Sequence, residues 1–160
     1  MQFQIKFSKS TQASILGKNY TDYTTFMGEF NKLLWLTYRK SFAPLLIEKN
    51  KVAKLTSDAG WGCVMRCTQM LLANCLRTVF TPSSSESQHT MNIRILNLFD
   101  DDKRNITQNA FSIQNVVEIG LNEHNRMPGE WYGVSKMNEI FKTLNETYNF
   151  STNLSGNMLG

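Results

Sequence analysis

Residues 63–80, CVMRCTQMLLANCLRTVF, constrain the chain more than any other stretch. Val64, Cys67, Met70, Leu71, Asn74 and Cys75 recur at three- and four-residue steps, and only Arg66 and Arg77 carry charge. A helix apolar on nearly every side belongs in the interior, so the pattern predicts a central helix around which the rest packs. Ser57-Asp58-Ala59-Gly60-Trp61-Gly62 stands directly before it, so this helix begins on a thiol that follows two glycines.

A thiol attacks only as thiolate, and a free cysteine with a pKa of about 8.5 is mostly protonated at neutral pH. A helix N-terminus offers unpaired N–H groups and the positive end of the macrodipole, which stabilise the anion. Gly60 and Gly62 permit a tight backbone approach. The same N–H groups can hold the oxyanion formed when a carbonyl is attacked, as a cysteine protease requires. The alternative is that Cys63 is a buried small hydrophobe. The local pattern leaves both open.

Cys63 and Cys67 lie four residues apart with no paired Cys or His motif nearby, a poor zinc site, so neither metal nor cofactor is expected. Cys67 and Cys75 read as core beside Val64, Met70 and Leu71. The two histidines, His89 and His124, fall in polar turns and read as solvated loop residues rather than as a general base.

At 160 residues the expectation is one domain over 1–150, with 151–160 as a loose, disordered tail. The composition, 41% hydrophobic and 19% charged, excludes a disordered or membrane-embedded chain. The net charge of +4 is scattered without a basic run, which argues against nucleic acid as a partner. Three cysteines make a poor disulfide framework and suit a reducing, cytoplasmic setting. The opening MQFQIKFSKS alternates Phe3, Ile5 and Phe7 with polar residues, suiting a short strand and not a signal peptide. No apolar run is long enough for a transmembrane helix.

Along the chain, LGKNY at 16–20 reads as a glycine turn. Residues 21–42 read as one helix carrying Phe26, Phe30, Leu33, Leu34 and Thr37 and ending before Pro44. Residues 45–60 and 81–90 read as loops, and 91–102 fit strand or helix equally. Ser112 and Ser135 are expected to cap two further helices. The expected class is α+β but mainly helical, an odd imbalance for an enzyme of this size.

TSDAGWGCVMRCTQMLLANCL at 56–76 resembles the nucleophile segment of the autophagins, cysteine proteases that process the ubiquitin-like autophagy modifier. LGKNY, LWLTYRKSF at 34–42, FSIQNVVEIG at 111–120 and GEWYGVSKMNEIFKTL at 129–144 agree with it in order and approximate spacing. The resemblance implies a papain-like fold and a Cys-His-Asp triad that cleaves the modifier after a C-terminal glycine and releases it from phosphatidylethanolamine. It makes Cys63 the nucleophile, Tyr38 a support of the oxyanion hole, and Trp131, with Gly62 and Trp61, the substrate-binding residues. The implied partner is the modifier, free or lipid-linked, with transient contact at a membrane surface.

The chain departs from the family pattern at Val64, Met65, Thr68 and Val134, changes that leave the nucleophile intact. It also contains no Asp-Pro-His, the motif in which the family carries the other two triad members. The expectation is therefore a truncated papain-like fold, the N-terminal part of an autophagin, inactive alone. The alternative is a non-catalytic truncated paralogue that binds the modifier as a helical module.

Overall fold

A computed structural model describes residues 12–48, 51–52, 54–80, 82, 86–101 and 109–148, which group into two compact units, Met1–Leu33 and Leu34–Gly160. The strand expected at residues 1–10 and the tail expected at 151–160 lie outside the described residues.

In the first unit, β1 (Ala13–Ile15) and β2 (Lys18–Tyr20) pair antiparallel, with Ala13 opposite Tyr20. The two-residue turn between them, Leu16-Gly17, holds both residues at positive φ, the geometry that matches the twist of a tight hairpin. α1 (Tyr23–Phe30) follows, capped by Asp22, whose carboxylate accepts the Thr25 amide at 2.7 Å. The bonds from the Thr25 amide and hydroxyl hold that carboxyl below its ordinary pKa. Phe26 stacks on Phe30 and meets Tyr20 edge-on, forming this unit's small apolar centre.

The helix thus ends at Asn31 rather than continuing towards Pro44. Beyond it the burial period changes from helical to alternating: Leu34 and Leu36 are buried while Trp35 is exposed. Asn74 fixes this extended run, accepting from the Leu34 amide and donating to the Leu34 carbonyl, both at 2.9 Å. One side-chain amide thereby does what a neighbouring strand would do.

The second unit continues with a short hairpin, β3 (Leu46–Glu48) and β4 (Lys51–Val52), within the stretch expected to be loop. Then come α2 (Cys63–Val79), α3 (Gln88–Asn97), α4 (Ile113–His124) and α5 (Val134–Tyr148). α2 is central, packing against α3 and α5, and α4 packs against α5. Met65, Ala73 and Leu76 of α2 share the core with Met91 and Ile95 of α3, Ile113 and Val116 of α4, and Met137, Ile140 and Leu144 of α5. Phe111 stacks on Phe141 at 5.3 Å and joins Phe99 to this core.

Four local expectations resolve here. α3 starts inside the expected loop at 81–90, because Ser87 accepts the Thr90 amide and caps it, and the ambiguous stretch from 91 is helix as far as Asn97. Ser112 caps α4 as its position suggests. Ser135 is no cap, since α5 has already begun at Val134.

α2 is not apolar-buried all round. Met65, Arg66, Gln69, Ala73 and Leu76 face the interior, while Cys67, Leu71 and Cys75, each one turn apart, are exposed. The reading of Cys67 and Cys75 as core is corrected accordingly: they share a stripe with Leu71, which is 64% exposed. Beside this stripe an apolar groove of about 390 Å³ is lined by Leu71, Leu72, Cys75, Phe111 and Phe141.

Tyr132 is buried next to the fold's most exposed tryptophan, and its hydroxyl donates to the Arg126 carbonyl at 3.4 Å. Burial, helped by the charge of Glu130, pushes its phenol from 10.0 up to about 12. The fold holds the neutral phenol, so this contribution is complete below pH 10.0 and is lost as pH rises towards about 12. Stability measured by urea unfolding is expected to fall across that interval, and to fall less steeply in Tyr132→Phe.

Candidate active site

The turn that delivers Cys63 is closed by its own backbone. The Asp58 carbonyl accepts the Gly62 amide at 2.8 Å and the Trp61 amide at 3.2 Å, folding residues 58–62 back on themselves. Gly60 sits at φ +92°, in the left-handed region that glycine accepts without a Cβ penalty. Trp61 is buried, and its indole N–H donates to the Ser57 carbonyl at 2.9 Å, bracing the turn from inside.

Gly62 is required for a different reason. A Cβ there would lie 2.7 Å from the Asp58 Cβ and 2.8 Å from Asp58 Oδ2. The aspartate occupies the space a side chain would need, and it cannot swing away because both its oxygens are engaged.

Cys63 is the first residue of α2 and is a half-buried free thiol. Gly62, as N-cap, supplies no side-chain hydrogen bond, and the first turn of α2 contains no acidic residue. The N-terminal amides and the positive end of the dipole are therefore not neutralised from within the helix. That setting offers unengaged donors to an oxyanion developing beside the helix end.

Around this turn the structure gathers two of the residues singled out in the sequence. Trp131, 72% exposed, donates its indole N–H to the Gly60 carbonyl at 3.1 Å. Tyr38 is exposed and precedes a segment laced to the same turn. The Arg39 amide donates to Asp58 Oδ1 at 2.6 Å, the Arg39 carbonyl accepts from Ser57 Oγ at 3.0 Å, and Lys40 forms a β-bridge with Ser57. Residues 71 positions apart in sequence, Gly60 and Trp131, are thus in direct contact.

Neither histidine bonds to Cys63 among the described residues. His89 is exposed in the first turn of α3. His124 corrects the solvated-loop expectation: it ends α4, is largely buried, and turns Nδ1 towards Glu139 at 3.6 Å. No grouping of three His, Cys, Asp or Glu able to hold a metal exists among the described residues.

Sequence reasoning missed Asp58, Arg66 and Asp101. Arg66 Nε donates to Asp58 Oδ2 at 2.5 Å, Nη2 to Asp101 Oδ2 at 2.8 Å, and Nη1 to Gln69 Oε1 at 2.8 Å. The available signal was an arginine one turn into the helix expected to be central.

A family model described as the Peptidase C54 catalytic domain matches residues 23–158. Among curated proteins, "Probable cysteine protease ATG4" of Komagataella pastoris is 31% identical over 154 residues, covering 82% of this chain and 28% of its own length. "Cysteine protease ATG4A" of Homo sapiens is 33% identical over 138 residues, covering 81% of this chain and 32% of its own. "Cysteine protease ATG4B" of Oryza sativa subsp. indica is 31% identical over 144 residues, covering 86% and 28%. The chain spans about three tenths of the length of these relatives.

Because a methyl group at position 62 must displace an immobilised aspartate, Gly62→Ala is expected to cost about 1–3 kcal/mol of stability, the range seen for overpacking. Urea unfolding checks this, with a lowered midpoint at an unchanged slope as the expected result.

Proposed function

The chain belongs to the Peptidase C54 family of cysteine peptidases, with their papain-like α+β fold, and from that premise we propose that it carries the nucleophile of an autophagy protease. In this reading Cys63 attacks the carbonyl of the C-terminal glycine of a ubiquitin-like modifier. The leaving group is either a peptide extension or the amine of phosphatidylethanolamine. The observation that carries the reading is the junction of two distant motifs, Trp131 bound to the Gly60 carbonyl three residues before Cys63.

Each residue then has a role that its position supports. The first-turn amides of α2, with the phenolic O–H of Tyr38, stabilise the developing oxyanion. Trp131, exposed above the turn, confines the narrow glycine tail. Trp61, buried on Ser57, serves by bracing the turn rather than by touching substrate, and Gly62 serves by admitting Asp58 beside the nucleophile.

The base and its orienter are the members that this sequence lacks as an Asp-Pro-His motif. Without them only oxyanion stabilisation and binding remain, which elsewhere leave a small residue of triad catalysis. The chain by itself is therefore expected to capture an activated modifier and not to turn over an ordinary one. Its setting is the cytoplasm, and no helix among the described residues is long and apolar enough to cross a membrane.

The test is an electrophilic probe: the modifier ending in a propargylamide after its last glycine. Cys63 is expected to be labelled, with no labelling in Cys63→Ser, while the exposed Cys67 and Cys75 stay unmodified. Binding of the modifier without labelling, at a Cys63 that iodoacetamide still alkylates, would overturn the reading in favour of a non-catalytic binding module.

A further inference from the structure

We propose that Asp58 is a positioning residue: it ties the segment bearing Tyr38 to the helix end bearing Cys63, so that hydroxyl and thiol keep one fixed relation. The inference rests on the protease reading for the meaning of that relation, and on geometry alone for its existence.

Asp58 is fully buried, and every polar group it has is directed at one of these two segments. Its Oδ1 accepts the Arg39 amide and its own amide donates to the Arg39 carbonyl at 3.3 Å, a two-way grip on the residue after Tyr38. Its carbonyl accepts the Gly62 and Trp61 amides, setting the turn into Cys63. Its Oδ2 takes Arg66 Nε, and the Arg66 amide donates to the Gly62 carbonyl, so the first turn of α2 is held as well. Asp58 Cβ and Oδ2 also fill the space beside Gly62.

An isosteric asparagine cannot reproduce this. Asp58 meets two donors, the Arg39 amide and Arg66 Nε, with two acceptor oxygens. An amide has one oxygen and one NH₂, so in either orientation a donor faces a donor. Asp58→Asn therefore releases one of the two segments while keeping the volume.

The experiment uses the whole 160-residue chain and the aldehyde acetyl-Gly-glycinal, labelled with carbon-13 at the aldehyde. The Cys63 thiol adds across the carbonyl: an S–C bond forms, the C=O π bond breaks, and the thiol proton ends on the new hydroxyl. The adduct dissociation constant is read by NMR for the parent, Asp58→Asn, Tyr38→Phe and the double variant. A displacement of the reacting groups predicts weakening by about tenfold or more for Asp58→Asn, on the scale by which misplacement impairs catalysis. In the Tyr38→Phe background the same change should weaken the adduct less than about twofold, because the partner it positions is gone. Equal weakening in both backgrounds overturns the proposal.

An adduct insensitive to Tyr38→Phe in the parent would instead overturn Tyr38 as oxyanion support. Amide hydrogen exchange then decides the positioning claim separately. In Asp58→Asn the amide of the released segment, Arg39 or Gly62, should lose protection while the Ile113 amide, held by Asp101 at 2.8 Å, keeps it. Retained protection at both overturns it. Should Asp58→Asn fail to fold, Arg66→Lys, which keeps the charge but loses the planar Nε–H contact, takes its place in the adduct comparison alone, since it also loses the Nη2 bond to Asp101.

Discussion

Arg66 is the interaction on which the rest of the second unit depends. It places a guanidinium on the buried face of the central helix and answers it with the carboxylates of Asp58 and Asp101 and the amide oxygen of Gln69. Removing such charges from water costs several kcal/mol per ion, so the arrangement persists only if every donor and acceptor is engaged. Here each guanidinium nitrogen and each oxygen of the two carboxylates has a partner, and each partner reaches further. Asp101 accepts the Ile113 amide at the start of α4, Gln69 donates to the Phe111 carbonyl, and Gln114 donates to the Asp101 carbonyl. The network therefore fixes the entry to α4 as firmly as the turn before α2. Two helix N-termini share one buried cation.

This explains why the site is built from a short loop without losing definition. Loops carry function when a rigid scaffold holds them. The turn at 58–62 is held from below by the Asp58 side chain, and its backbone is closed on the Asp58 carbonyl. The sequence requirements are consequently steric and local: a left-handed position at Gly60 and no side chain at Gly62. A nucleophile placed after such a turn has its helix-end amides left clear of any capping side chain, which a Ser or Asp at the N-cap would have engaged.

Sequence patterns read well where local and tertiary demands agree. The helix from Cys63, the Ser112 cap and the helix containing Met137, Ile140 and Leu144 all follow from periodicity and capping chemistry. They read badly where a distant group intervenes. Residues 34–36 look helical because Leu33 and Leu34 continue the spacing of Phe26 and Phe30, but Asn74, forty residues on, supplies the bonds of an extended strand. Cys67 and Cys75 look like core because apolar residues surround them in sequence, yet which side of α2 is covered depends on where α3 and α5 dock. In the site, the thiol, the glycines and the tryptophans are visible as a motif. The Asp58–Arg66 pair is not, since a linear pattern that shows an arginine inside an apolar helix does not say which carboxylate answers it.

Two tryptophans donate to carbonyls of the same loop, and they differ in burial. Trp61 is 6% exposed and donates to the Ser57 carbonyl, so its ring contributes area to the core and its N–H satisfies the start of the turn. Trp131 is 72% exposed and donates to the Gly60 carbonyl, so its ring contributes little burial. A large aromatic left in water and tethered by one neutral hydrogen bond, worth about 1 kcal/mol net, is poorly justified as packing. Its anchor instead comes from the next residue, where buried Tyr132 sits in the core. The backbone around Trp131 is therefore fixed while the indole is held lightly. That combination leaves an exposed indole tethered to the turn that precedes Cys63.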